Sequence, residues 1–163
     1  MKHTMNLHFA TPDDFQEVYA VFKQYPQIFP HIRTDYIKRQ LEKKTVIFQD
    51  GALLNFTQYS RKQKVGTITV HKGVYVIHQI ANRQQGNGSA KTLLDAFVEY
   101  TQSPIILTVR KDNEKARAFY ERYGFVEIGT IEWAKKTNPI PGIVYGYSKD
   151  STKYFSLASS IGF

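Results

Sequence analysis

Arg83-Gln84-Gln85-Gly86-Asn87-Gly88-Ser89 separates two runs of opposite character. Before it, Val74 to Ala81 is β-branched and aromatic, as a strand requires. After it, Ser89 to Tyr100 has helical spacing, with Ala90, Leu93, Leu94, Phe97 and Val98 on one face. The stretch therefore reads as strand, glycine-bearing turn, helix. Glycine reaches torsions closed to other residues and lets a ligand approach the main chain. The first amides of a helix have no partner within it. Together these features suit a phosphate or pyrophosphate, and Arg83 adds a positive charge. The Gly-Lys-Ser/Thr of a nucleoside-triphosphate loop is missing, and the three glycines of the dinucleotide fingerprint are reduced to two. The same segment also reads as a plain strand-to-helix turn.

Downstream, Pro104 punctuates the chain and Ile105 to Val109 forms a short apolar strand. Asn113 to Tyr123 has helical spacing, with Ala116, Phe119, Tyr120 and Tyr123 on one side, and Gly124 suits its C-terminal position. Phe125 to Trp133 and Ile143 to Tyr147 read as strands joined by a Lys-, Asn- and Pro-rich turn. Upstream, Pro12, Asp13 and Asp14 open an amphipathic helix through Phe15, Val18, Tyr19, Phe22 and Tyr25, ended by Pro26. Thr34 or Asp35 can cap a second helix running to about Lys44. Thr45 to Gln49 and Ala52 to Tyr59 flank the hairpin signal Asp50-Gly51. Ser60 to Lys64 is a polar, basic link to a strand at Gly66 to Val70. The whole reads as one α+β domain over residues 1–150, with a weakly structured tail at 151–163.

The two central stretches carry a resemblance. Arg83, Gly86 and Gly88 match an Arg/Gln-x-x-Gly-x-Gly/Ala loop. Asn113, Phe119, Tyr120, Gly124 and Phe125 match a helix that follows an Asn and closes with Phe/Leu-Tyr-x-x-x-Gly-Phe. In this order and on these elements, residues 74 to 129 resemble the GNAT superfamily of acyl-CoA-dependent N-acyltransferases. The resemblance implies a mixed, strongly bent sheet of six to seven strands with about four flanking helices. Its two central strands splay apart, here Val74 to Ala81 and Ile105 to Val109. It implies acetyl-CoA or another acyl-CoA as co-substrate and an amine-bearing acceptor. Backbone of Ile80, Ala81 and Asn82 would then pair with pantetheine. The amides of Gln84, Gln85, Gly86, Asn87, Gly88 and Ser89, with Arg83, would hold the pyrophosphate. Asn113 would contact the cofactor, and Tyr120 would lie near its sulfur.

The residues bound the chemistry. The chain has no cysteine, which excludes disulfides, thiolate zinc sites and a Cys-linked acyl intermediate. An amine must therefore attack the thioester directly, with a base to take its proton and a donor for the departing sulfur. Tyr120 is the candidate acid. Many family members carry a Glu on the strand before the loop. This strand has none, and His78 is its one group of near-neutral reference pKa. The five histidines, His3, His8, His31, His71 and His78, are scattered, so no metal site is expected.

The net charge of +8 over 163 residues favours a polyanionic partner such as nucleic acid, or is a solvated basic surface. Lys38, Arg39, Lys43 and Lys44 on the second helix and the Arg61-Lys62-Gln63-Lys64 link carry part of it. Two alternatives follow: a non-catalytic nucleic-acid-binding protein on the same fold, or an acyltransferase acting on nucleic acid. Tyr25, Phe29, His31, Tyr36, Trp133, Tyr145 and Tyr147 are candidates to line an acceptor pocket, though most read as core. No run reaches the roughly 18 apolar residues of a membrane span, and the N-terminus lacks a signal-peptide core. A cytoplasmic location without membrane contact is expected.

Overall fold

The computed structural model describes residues 7–25, 33–82, 88–135 and 138–148. A 3-10 turn, Pro12–Asp14, leads into α1, Phe15–Lys23. The Thr11 N–H donates to Asp14 Oδ2 at 2.8 Å, and the Asp14 N–H returns to the Thr11 carbonyl at 2.8 Å. Helix α1 buries Val18 and Phe22 from the expected stripe, and Val21 from outside it. Helix α2, Thr34–Glu42, buries Ile37, Gln40 and Leu41. Neither Thr34 nor Asp35 caps it, because the flanking position falls to Arg33. Packing of Ile37 and Leu41, more than a cap, holds so short a helix.

Strands β1, Val46–Gln49, and β2, Ala52–Gln58, pair antiparallel through the expected Asp50-Gly51 turn. Strands β3, Gln63–Val65, and β4, Ile68–Val70, form a second hairpin. The expected basic link thus ends in a strand, and Gly66-Thr67 makes the turn instead of opening one. Gln63 and Lys64 are exposed, so β3 carries no apolar alternation that would announce it.

The remaining elements are β5 (Tyr75–Asn82), α3 (Ser89–Thr101), β6 (Ile105–Arg110), α4 (Glu114–Tyr123), β7 (Val126–Lys135) and β8 (Asn138–Tyr147). Six strands take the order β1-β2-β5-β6-β8-β7, while β3 and β4 pair separately. The pairs β6/β8 and β7/β8 are antiparallel. The hairpin of β7 and β8 is longer than expected, since Pro139 and Pro141 lie within β8. Pro141 sends its carbonyl to the Lys111 N–H at 3.0 Å. Its ring nitrogen faces the same side, away from β7, so no β7 bond is lost.

Two compact units make up the chain. The first takes Met1–Thr57 and Ile77–Tyr100. Its core joins Val18, Val21 and Phe22 of α1 to Ile37 and Leu41 of α2, with Val46, Phe48, Leu53 and Ala81 from the strands. Phe56 meets Phe97 of α3 at 5.0 Å between ring centroids. The second unit takes Gln58–Val76 and Thr101–Phe163. Its core joins Ile68, Val70, Val74, Val76, Ile106, Ile128 and Val144. There the β3–β4 hairpin lies close on β7 through two glycines. A Cβ on Gly66 would stand 2.1 Å from the Thr130 carbonyl oxygen, and one on Gly129 would stand 2.5 Å from Ile68 Cγ2. Residues 151–163, expected as a tail, lie outside the described residues.

Candidate functional site

In the first unit, β5 ends at Ala81 and Asn82, both buried. The Asn82 carbonyl accepts the Tyr25 hydroxyl, so one backbone group expected to face pantetheine already has a side-chain partner. Arg83, Gln84, Gln85, Gly86 and Asn87 lie outside the described residues. Gly88 has φ of +79°, and a Cβ there would meet nothing within 4 Å. Its positive φ thus requires glycine, and the main chain faces open space. The Thr92 N–H closes onto the Gly88 carbonyl at 3.1 Å. The amides of Ala90 and Lys91 come too early in α3 to find a carbonyl four residues back within it. Lys91 is paired with Asp95 at 3.3 Å on the exposed surface.

His78 on β5 has its Nε2 2.9 Å from Thr57 Oγ1. The residue as a whole is exposed, but desolvation of its ring by the protein around it lowers the pKa below the ordinary value, so the ring is neutral at neutral pH. Close by in the chain, a polar cluster sits against the apolar core. Asn55 of β2, 1% exposed, donates from Nδ2 to the Tyr36 hydroxyl at 2.8 Å and to Gln79 Oε1 at 2.5 Å. Its Oδ1 is buried and has no hydrogen-bond partner among the described residues. A buried acceptor left unpaired costs about 1–3 kcal/mol. Tyr36 was a candidate for lining the acceptor pocket, whereas Asn55 and Gln79 carried no motif that marked them.

The second unit holds the other expected residues. Asn113 is the N-cap of α4, its Oδ1 accepting the Ala116 N–H at 3.2 Å. That leaves its Nδ2 to donate. Tyr120 is 8% exposed, with its ring against Phe119 and Phe125 at 5.3 and 5.4 Å between centroids. Burial pushes the phenol well above its ordinary pKa. None of the hydrogen bonds among the described residues involves its hydroxyl, and desolvation is the one cause of its raised pKa. Gly124 closes α4 with positive φ, as its place in the motif requires.

Between Asn113 and Tyr120 stands Arg117, which no motif marked. Its Nε donates to the Tyr145 hydroxyl at 3.2 Å, Nη1 to the Lys111 carbonyl at 3.0 Å and Nη2 to Glu127 Oε1 at 3.2 Å. Tyr145, fully buried, donates in turn to Glu121 Oε2 at 2.7 Å. Burial and the Glu121 carboxylate hold its pKa up, against the pull of Arg117. The spacing of Arg117 and Glu121 at i, i+4 was the one signal of this network in the sequence. Tyr145 is therefore core, whereas Tyr25 and Tyr36 lie partly buried against the first unit's cluster. Phe29 and His31 lie outside the described residues. No described helix is long and apolar enough to cross a membrane.

Comparison with solved structures shows the same fold. A ribosomal-protein-S18-alanine N-acetyltransferase from Escherichia coli superposes with a TM-score of 0.62 at 16% identity, covering 89% of this chain and 95% of that one. An acetyltransferase of the GNAT family from Bacillus cereus gives 0.61 at 18% identity, covering 89% and 97%. A protein from Staphylococcus epidermidis gives 0.69 at 14% identity, covering 89% and 99%. No curated protein sequence matches the chain. The sequence profile of the acetyltransferase (GNAT) domain matches residues 23–137, a span that takes in β5, α3, β6, α4 and the phenol of Tyr120, and the chain belongs to that family of acetyltransferases.

Proposed function

We propose that the chain is an N-acetyltransferase that passes an acetyl group from acetyl-CoA, or a related acyl-CoA, to an amine acceptor by direct attack. The observation that carries this is Tyr120: a buried phenol, held protonated and unpaired among the described residues, at the position where the family motif has its tyrosine. Acetyl-CoA supplies an activated thioester. Ile80, Ala81 and Asn82 bind its pantetheine through their backbone, and residues 83–89 (Arg83 to Ser89) bind its pyrophosphate. Asn113 contributes its Nδ2, which has no partner among the described residues. His78, neutral at neutral pH, takes the proton of the attacking amine. The amine nitrogen bonds to the carbonyl carbon, the carbon–sulfur bond breaks, and Tyr120 gives its proton to the sulfur. Backbone amides of β5 are the donors for the developing oxyanion. With no cysteine in the chain, no acyl-cysteine intermediate intervenes.

Calorimetric titration with acetyl-CoA, with a Gly86→Glu variant alongside, tests the reading. Saturable binding that the variant loses is expected, because a carboxylate in the loop would repel the pyrophosphate. No binding by a folded wild type overturns the reading and turns attention to nucleic acid, whose binding would weaken steeply with salt.

A further inference from the structure

We propose that Tyr36 and Gln79 bind a carbonyl oxygen of the acceptor substrate and that Asn55 sets their polarity for it. The inference rests on the acetyltransferase reading and names the acceptor's chemical class. An amide nitrogen carries two hydrogens and no acceptor. Asn55 uses both, one on the Tyr36 hydroxyl and one on Gln79 Oε1. Each gift settles the role of the receiving group. Tyr36 has accepted, so its own hydroxyl hydrogen is left to donate. Gln79 has its oxygen engaged, so its Nε2 is left to donate. Neither donor has a partner among the described residues, and both side chains are half-buried, so a ligand can reach them.

Asn55 itself is closed to solvent, and its Oδ1 is unpaired. A residue kept for stability alone would not leave that atom unmatched. An apolar residue on this core-facing strand would avoid the penalty. What Asn55 provides instead is an orientation: two neutral donors, one from α2 and one from β5, with no charged group in the hydrogen-bonded cluster. Two neutral donors suit an oxygen acceptor, and the absence of a cation favours a carbonyl over a carboxylate, whose desolvation they would not offset. The acceptor is therefore an amine that also carries an amide or peptide carbonyl, rather than a plain alkylamine or polyamine.

Steady-state acetylation of alaninamide and of propylamine by the full chain tests this. Tyr36→Phe keeps the ring and removes one donor, and Gln79→Met keeps the length and removes the other. Each is expected to raise KM for alaninamide about three- to tenfold, the worth of one neutral hydrogen bond, and to raise it far more than KM for propylamine. Asn55→Leu, at a residue that touches no substrate, is expected to do the same with kcat nearly constant. Equal shifts for both amines, or none for alaninamide, would overturn the proposal. A second readout separates it from the reading beneath it: the side-chain amide signal of Gln79 in 15N-labelled protein titrated with alaninamide. A saturable shift, lost in Tyr36→Phe, supports the site even if acetyl-CoA does not bind, in which case only the acetyltransferase reading falls. Acetyl-CoA binding without that shift overturns the carbonyl site alone.

Discussion

Each of the three guanidinium nitrogens of Arg117 has an acceptor, whereas the Tyr36–Asn55–Gln79 cluster leaves a buried oxygen and two donors unmatched among the described residues. Both are polar groups set against apolar cores. The first ties α4 to the turn before it and to β7 and β8, and every bond is internal. The second is built from one strand residue that arranges two others. Complete pairing marks a group that holds the fold, and incomplete pairing under burial marks one kept for something else. The same contrast recurs between two tyrosines of the second unit. Tyr145 is fully buried with its hydroxyl bonded on two sides, while Tyr120 is nearly as buried and bonds to no described residue.

The largest expected effect falls on the unpaired tyrosine. Tyr120→Phe should lower kcat about 100-fold at saturating acetyl-CoA, the range for loss of a positioned acid, with the melting temperature nearly unchanged. Unchanged turnover would place Tyr120 with the structural residues. Arg117→Met should do the reverse. It removes one partner from the Lys111 carbonyl, the Tyr145 hydroxyl and Glu127, and the urea midpoint should fall while kcat stays nearly unchanged. Asn55→Leu should cost less than about 1 kcal/mol in the same assay, since it removes an unpaired buried oxygen while the half-buried Tyr36 and Gln79 turn to water. A loss as large as that of Arg117→Met would erase the distinction between the two regions.

The smallest effect concerns pH. The folded pKa of His78 lies below its unfolded value of about 6.5, so the folded state binds this proton less readily. Its contribution is fully present above pH 6.5 and is lost as pH falls through the folded pKa. Unfolding midpoints at pH 7.5 and pH 5 should converge in His78→Gln. If His78 is also the base, the acidic limb of kcat/KM has its midpoint below 6.5 and disappears in that variant.

The regular elements were legible because burial imposes periods on them. Val18 and Phe22, or Leu93 and Phe97, recur at helical spacing because each faces a core. The loop and helix motifs were legible because a positive φ at Gly88 and Gly124 leaves the sequence little choice. Strand β3 was not, because a three-residue strand with two exposed polar residues, held by a short hairpin, shows no apolar pattern. Prolines within β8 read as a turn, since nothing in the sequence says that β8 extends past the strand on one side. Asn55 and Gln79 were invisible for a different reason. Their meaning lies in who donates to whom, and Asn in a strand otherwise signals only a poor strand former.

The docking of the β3–β4 hairpin has a consequence for how the protein behaves in concentrated solution. Strand β7 ends the six-stranded order, and an end strand exposes main-chain groups that recruit other chains. Thr67 takes both such groups of Thr130, its N–H reaching the Thr130 carbonyl at 2.9 Å and its Oγ1 accepting the Thr130 N–H at 3.0 Å. Beside it, β7 shifts register between Glu127 and Gly129. An incoming strand would therefore find its ladder interrupted midway, and could not zip along β7 without first prising the hairpin off. Gly66 and Gly129, which let the backbones meet, thus act as guards against fibre growth as much as elements of the fold.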